Sequence, residues 1–244
     1  MNEFKQYVVG SKLQEITELI WPTFNKMGSN TTESFDIQKF GLSIGDNPIN
    51  ELKVTKINED DRPANYRGLN KIFAGNRISL PHEISHFIYR CNHKPEERNS
   101  DPLTTHIISV CKNANIAQNI NDFYKRDSIS NYDKLIAYLY LADENELTAK
   151  LAGLYVGSKL DTDKIKDDDD DYYKGLNEIY NDITKFNIDE NEIDTIVQID
   201  TNKKSIYDHL REKTVSANVI QDLIKEMKVL AKKYLDIYEN ILEN

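Results

Sequence analysis

Two histidines separated by about one helical turn, His82 and His86, constrain this chain more than any other feature. Residues four apart lie one above the other on a helix, so both imidazoles can reach a single metal ion. Glu83 lies too far round such a helix to be a ligand, but close enough to take a proton from a water at the metal. Pro81 suits the first position of a helix, where its missing N–H costs nothing. The spacing predicts a helix with a metal-binding face.

The residues on the opposite side of this predicted helix are apolar. Ile84, Phe87, Ile88 and Cys91 recur at helical spacing and predict a face that packs into a core. The preceding segment, residues 76–80, is interpreted as a short strand. An ordinary amphipathic helix whose polar face holds two histidines by coincidence is the competing interpretation.

A metal site of this type needs a third protein ligand and one open position. His93 is a poor candidate, because it would lie about 10 Å along the helix axis from His86. His106 and His209 are single histidines without a partner pattern, and structural roles are expected for both.

The third ligand is predicted from a second short segment, NELTA at positions 145–149. This segment and the earlier HEISH resemble the NExxA-type and HExxH segments of gluzincin-like zincins, a group of zinc metallopeptidases that includes phage-encoded enzymes. The resemblance implies a Zn²⁺ site made by His82, His86 and Glu146. It also implies that Glu83 is the general base in the hydrolysis of a peptide or protein substrate.

Glu146 also fits a role without a metal. Asp143 and Glu146 have the spacing of a capping box, in which both side chains accept hydrogen bonds from free N–H groups at a helix start. Glu144 competes with Glu146 as the third ligand. All three possibilities stay open at this point: Glu146 as ligand, Glu144 as ligand, or neither.

Composition and charge exclude several classes of partner. The 244 residues, 39% of them hydrophobic, carry a net charge of −10, which argues against nucleic acid and anionic membrane surfaces. No apolar run is long enough to span a membrane, and the first residues lack the features of a signal peptide. Free thiols are expected for Cys91 and Cys111. These features favour a cytoplasmic or virion-associated protein.

Hydrophobic periodicity predicts an α+β fold that is mainly helical, with a small sheet before residue 81. Strand-like runs occur at residues 35–44 and 52–57. The interpreted strand at 76–80 would form a cleft edge that holds an extended peptide by backbone hydrogen bonds. Helices are expected at 3–27, 107–123, 132–142 and 147–160.

The part of the chain beyond residue 160 differs in character. Residues 1–160 are predicted to form a zincin-like domain, and residues 161–244 a helical C-terminal extension. The aspartate run at 167–171 lacks the ligand order of an EF-hand, so it is interpreted as a solvated linker or helix start. An amphipathic helix at 216–242 packs on the protein's own helices or binds a protein partner, including a second copy.

Three functions are consistent with these patterns. The first is a zinc-dependent peptidase. The second is a non-catalytic structural or interaction protein with a zincin-like fold, such as a phage virion component. The third is a helical binding module in which HExxH is coincidental. Metal content separates the third from the others, and the activity of Glu83→Gln separates the first from the second.

Overall fold

The computed structural model describes residues 12–58, 65–67, 70–92, 131–160, 167–189, 191–192 and 217–242. Backbone contacts divide the chain into two units, and each unit is built from separate stretches. The first contains Met1–Arg98, Asn145–Tyr173 and Ile241–Asn244, and the second contains Asn99–Glu144 and Lys174–Asn240. The single boundary after residue 160 stays a prediction from the sequence.

The described elements follow a simple order, with the strands first and most helices later. In chain order they are α1 (Lys12–Phe24), β1 (Thr32–Asp36), a 3-10 helix (Gln38–Phe40), β2 (Leu42–Ile44), β3 (Asn47–Ile49), β4 (Glu51–Lys56), β5 (Asn65–Arg67), β6 (Lys71–Ala74), α2 (Ser79–Asn92), α3 (Asn131–Leu141), α4 (Glu144–Gly157), α5 (Asp167–Lys185) and α6 (Ala217–Leu242). The predicted α+β class, with a small sheet before residue 81, is confirmed.

The main sheet of the first unit has four strands in the order β1-β4-β6-β5. β4 and β6 are parallel, while β1 and β5 pair antiparallel with their neighbours. Val54 and Ile72 are paired across the two central strands, and both are fully buried. β2 and β3 form a separate hairpin, and Gly45 provides the positive φ of its turn.

Helices α1 and α2 cover this sheet and share one core with it. Apolar residues of α1 are buried, including Leu13, Ile16 and Ile20. The apolar face predicted for α2 is buried as well, with Ile84 and Phe87 fully enclosed. Each such side chain contributes about 1.5–3 kcal/mol on burial, so this core fixes the orientation of α2.

The segment before the histidines begins a helix and is not the strand predicted there. Asn76 Oδ1 accepts hydrogen bonds from the N–H groups of Ile78 and Ser79, each 2.8 Å long. Ser79 Oγ accepts one in return from the N–H of Asn76, at 3.0 Å. This reciprocal cap directs the backbone into the helix, and the strand ends earlier, at Ala74. The predicted cleft edge at 76–80 is therefore wrong.

Most of the second unit that is described consists of helix α3 and of the parts of α5 and α6 at residues 174–185 and 217–240. The hydroxyl of Tyr180 on α5 donates a 2.7 Å hydrogen bond to the carbonyl of Leu141 at the end of α3. The ring of Tyr180 also stacks on Tyr234 of α6, with centroids 3.8 Å apart. α5 begins at Asp167, so the aspartate run is a helix start, as one interpretation predicted. A partner for α6 stays a prediction.

Several further expectations concern the limits of these elements. α3 and α6 match the helices predicted at 132–142 and 216–242, whereas the helix predicted at 107–123 lies outside the described residues. Cys91 is half-buried and forms no disulfide within the described part of the chain, and Cys111 lies outside it. Within the described ranges, no helix has both the length and the apolar character needed to cross a membrane.

Candidate metal centre

The polar face of α2 holds both histidines close to the core. The side chains of His82 and His86 are 17% and 12% exposed. Their Nε2 atoms face each other at 3.1 Å, with the two rings nearly perpendicular. The helix therefore presents two imidazole nitrogens to one point, as the spacing predicts.

Glu146 reaches the same point from α4. Its Oε1 lies 3.5 Å from His86 Nε2, and its Oε2 lies 3.8 Å from His82 Nε2. One ligand atom from each of the three residues can be chosen so that all lie within 4.8 Å of one another. His82, His86 and Glu146 can therefore hold a metal ion.

The Glu146 carboxylate faces the imidazoles, as the ligand interpretation predicts. The capping box predicts a carboxylate turned back towards the backbone of Asp143, whereas both carboxylate oxygens of Glu146 lie within 4 Å of an imidazole. The side chain of Glu144 lies outside the described residues, as do His93, His106 and His209.

The separations can be compared with those between ligand atoms around a small metal ion. Metal–ligand bonds of about 2.0–2.2 Å at tetrahedral angles place neighbouring ligand atoms about 3.3–3.6 Å apart. The two Nε2 atoms are 3.1 Å apart and His86 Nε2 lies 3.5 Å from Glu146 Oε1, both close to that range. The 3.8 Å separation from His82 Nε2 involves the other carboxylate oxygen, and a set with one ligand atom from each residue lies within 4.8 Å. Imidazole nitrogen with carboxylate oxygen is a donor set that suits zinc and several other transition metals.

Helix α4 also orients the two imidazoles. Asn145 Oδ1 lies 3.0 Å from His86 Nδ1. An amide oxygen only accepts hydrogen bonds, so Nδ1 carries the proton and the lone pair of Nε2 points into the cluster. His82 makes a hydrogen bond with the backbone of Ala149. Such outer contacts fix the tautomer and ring orientation of metal-binding histidines.

The pKa of His82 is lowered well below its usual value. Burial is the main cause, and electrostatic interactions with His86 and Lys150 add to it, while the hydrogen bond with Ala149 opposes it. His82 is therefore neutral at neutral pH. Neutral imidazole is the form that binds a metal, so burial prepares this residue for the role.

Glu83 lies beside the cluster without belonging to it. Its residue is 4% exposed, and its Oε1 lies 3.9 Å from His82 Nε2. The Glu83 carboxylate is therefore buried and lies close to the candidate metal-binding point. The sequence predicted this arrangement from the position of Glu83 next to His82.

A close approach of backbones holds α4 against the start of α2. A Cβ atom placed on Gly157 would lie 2.9 Å from the carbonyl oxygen of Arg77 and 3.4 Å from the Cα of Ile78. At the other end of α4, Asn145 contacts His86. The two helices therefore run antiparallel. The contacts at Gly157 and at Asn145 fix both ends of α4, and with them the position of Glu146.

Lys150 is a buried basic residue that the sequence analysis missed and that contributes to the lowered pKa of His82. It is 7% exposed and follows Glu146 by four residues, which places both on one face of α4. That i, i+4 spacing is the signal that would have identified it.

Comparison of the chain with protein-family models, with curated proteins and with solved structures finds no match. The case for this centre therefore rests on its geometry.

Proposed function

We propose that this protein is a zinc-dependent peptidase. Zn²⁺ would be held by His82, His86 and Glu146, and Glu83 would act as the general base. The observation that carries the proposal is the convergence of the two Nε2 atoms and the Glu146 carboxylate, with a buried carboxylate adjacent.

The donor set supports zinc as the metal. Two imidazoles and one carboxylate are a known ligand set of catalytic zinc sites, which keep a further position open. A zinc ion bound there would act as a Lewis acid towards a peptide carbonyl and the attacking water. Structural zinc sites, in contrast, have four protein ligands, and the described residues supply three.

Glu83 supplies the proton transfer in this proposal. Its carboxylate takes a proton from the attacking water as the water oxygen bonds to the carbonyl carbon. The same group then gives the proton to the amide nitrogen as the C–N bond breaks. Its position supports this role, because it lies 3.9 Å from His82 and is shielded from bulk water.

A peptide substrate is supported by the edge of the main sheet. Among the described residues, β5 pairs with β6 on one side only, and α2 packs close to β5. An extended peptide can add to such an edge through main-chain hydrogen bonds. This edge replaces the one wrongly predicted at 76–80.

The proposal is tested by measuring metal content and peptide cleavage in the same preparations. Wild-type protein, stripped and reloaded with zinc, is expected to hold one zinc ion per chain by mass spectrometry and to cleave members of a mixed peptide library. Glu83→Gln should keep the zinc while cleavage falls by about 100-fold or more, because the base is lost. Glu33→Gln, an exposed change on β1, is the matched control and should behave as wild type.

Two outcomes would contradict the proposal. Wild-type protein that holds stoichiometric zinc but cleaves no peptide would favour a non-catalytic structural or interaction protein. Protein that binds no zinc at neutral pH would exclude a zinc peptidase altogether.

A further inference from the structure

A groove on the first unit lies between α1 and the end of α4, away from the candidate metal centre. It has a volume of about 210 Å³ and is lined by Gln14, Glu18, Trp21, Val156, Lys159 and Leu160. Because Val156 follows Glu146 by ten residues, the groove lies about 15 Å along the axis of α4 from that residue. Pockets for drug-sized ligands have volumes of about 300–1,000 Å³, so this groove fits a smaller molecule.

The apolar wall of the groove is formed by Trp21, Val156 and Leu160. The ring of Trp21 packs on the buried ring of Phe24, with the two centroids 5.9 Å apart. Val156 is buried, and the N–H of Leu160 donates a 3.3 Å hydrogen bond to the carbonyl of Gly157. Trp21 and Leu160 themselves are only half-buried. An apolar group bound in the groove would therefore remove more of their surface from water.

Two exposed side chains of opposite charge line the same groove without pairing. Glu18 Oε1 accepts a 2.7 Å hydrogen bond from Gln14 Nε2, and Lys159 Nζ lies 3.6 Å from the centroid of the Tyr155 ring. These contacts limit the movement of both charged groups. Within the described part of the chain, no ion pair of 4.0 Å or less includes either charge. The carboxylate and the ammonium group are therefore both accessible to a ligand.

This pair of charges disfavours ligands that carry a single charge. A cation is attracted by Glu18 but repelled by Lys159, and an anion experiences the reverse. A molecule with both charges can place an ammonium group near Glu18 and a carboxylate near Lys159. A free α-amino acid carries these two groups at neutral pH, and an apolar side chain would complement the apolar wall.

We propose that this groove binds a free α-amino acid with an apolar side chain. The α-ammonium group contacts Glu18, the α-carboxylate contacts Lys159, and the side chain lies against Trp21 and Leu160. A ligand of this size should bind with a dissociation constant on the order of 0.1–1 mM. The inference requires neither a metal ion nor peptide cleavage, so it is independent of the proposed function.

The single tryptophan of the chain provides a direct probe of the groove. The indole N–H of Trp21 gives one NMR signal, and a ligand in the groove should shift it. Isotopically labelled full-length protein is titrated at neutral pH with L-leucine, with leucinamide, which lacks the carboxylate, and with N-acetyl-leucine, which lacks the ammonium group.

Four variants test the two charges. Glu18→Gln and Lys159→Gln each remove one charge from the groove. Glu15→Gln and Lys71→Gln are the matched controls, because each removes an exposed charge of the same sign outside the groove. Circular dichroism verifies that all four variants fold.

The expected result has a definite sign for each ligand. Leucine should bind wild type and both controls equally, and it should bind either groove variant about three- to tenfold more weakly, because one charged contact is lost. N-acetyl-leucine should bind Glu18→Gln more tightly than it binds wild type, since the repelling carboxylate is gone. Leucinamide should bind Lys159→Gln more tightly than it binds wild type for the corresponding reason.

Three results would overturn the inference. The first is an indole signal that about 20 mM leucine does not shift, since that concentration is well above the expected range. The second is equal affinity of wild type for leucine and both analogues, which would mean that only apolar contacts matter. The third is an equal loss of leucine affinity in the groove variants and their controls. A protein that passes these tests but cleaves no peptide loses only the proposed function.

Discussion

Gly157→Ala is expected to disturb the candidate centre from a position at the far end of α4. The added Cβ would lie 2.9 Å from the carbonyl oxygen of Arg77, whereas ordinary contacts begin near 3.4 Å. One of the two backbones must therefore move by about 0.5 Å. The atoms in the way belong to the main chain that leads into α2, so no flexible side chain can yield.

The size of the effect follows from two opposing terms. Overpacking of this kind costs about 1–3 kcal/mol. Replacing glycine by alanine in a helix returns at most about 1 kcal/mol, and less at a terminal residue such as Gly157. We expect a net loss of about 1–2 kcal/mol in the free energy of unfolding. Urea unfolding should show this as a midpoint lower by about half a molar.

Gly28→Ala is the matched control for this substitution. A Cβ on Gly28 would meet nothing closer than the Thr31 side chain, at 3.9 Å. We expect its free energy of unfolding to change by less than about 0.5 kcal/mol. Zinc affinity should fall in Gly157→Ala and stay unchanged in Gly28→Ala. A Gly157→Ala protein as stable as wild type would refute the close approach of α4 to the start of α2.

Two more predictions concern the imidazoles. Asn145→Ala removes the hydrogen-bond acceptor at His86 Nδ1 and should weaken zinc binding by about 10- to 100-fold, whereas Asn145→Asp should largely preserve it. Equal zinc affinities of Asn145→Ala and wild type in a chelator competition would contradict the role of Asn145 in orienting His86. The pKa of His82 is lower in the folded than in the unfolded chain, so below about pH 6.5 the unfolded chain binds a proton that the folded one does not. The free energy of unfolding of the metal-free protein should therefore fall as the pH drops below that value. His82→Gln should remove the part of this pH dependence that comes from His82, as measured by urea titrations with a chelator. Identical pH profiles for the two proteins would contradict the lowered pKa of His82.

The sequence predicted the structure best where a residue pattern is compatible with only one type of secondary structure. The HEISH segment brings its two imidazoles together only if it is helical. The apolar residues predicted for the opposite face of that helix, including Ile84 and Phe87, are buried in the core. The helix bounds of α3 and α6 followed from long 3.6-residue stripes. Such patterns are local, so neighbouring residues were enough to predict them.

The prediction was wrong where a short polar segment is compatible with either a strand or the start of a helix. Residues 76–80 read as a strand because Ile78 and Leu80 alternate with polar residues. The side chains of Asn76 and Ser79 instead cap a helix through reciprocal hydrogen bonds. A capping box with serine in place of glutamate at its fourth position is a weak sequence signal.

The place of Glu146 in the candidate centre depends on information that no local pattern contains. Asp143 and Glu146 fit a capping box as well as a metal site, and the choice depends on where α4 packs. That packing is fixed by the close approach at Gly157 and by the contact between Asn145 and His86. These contacts join residues that are about 60 or more positions apart, so they could not be predicted from spacing.

The most direct test of the account is anomalous diffraction at the zinc edge from crystals of the zinc-loaded protein. We expect one strong peak about 2.0–2.2 Å from His82 Nε2, His86 Nε2 and one oxygen of Glu146, with Glu83 outside coordinating distance. A peak elsewhere, or a zinc ion bound by Glu83 in place of Glu146, would contradict the assignment of the ligands and the base.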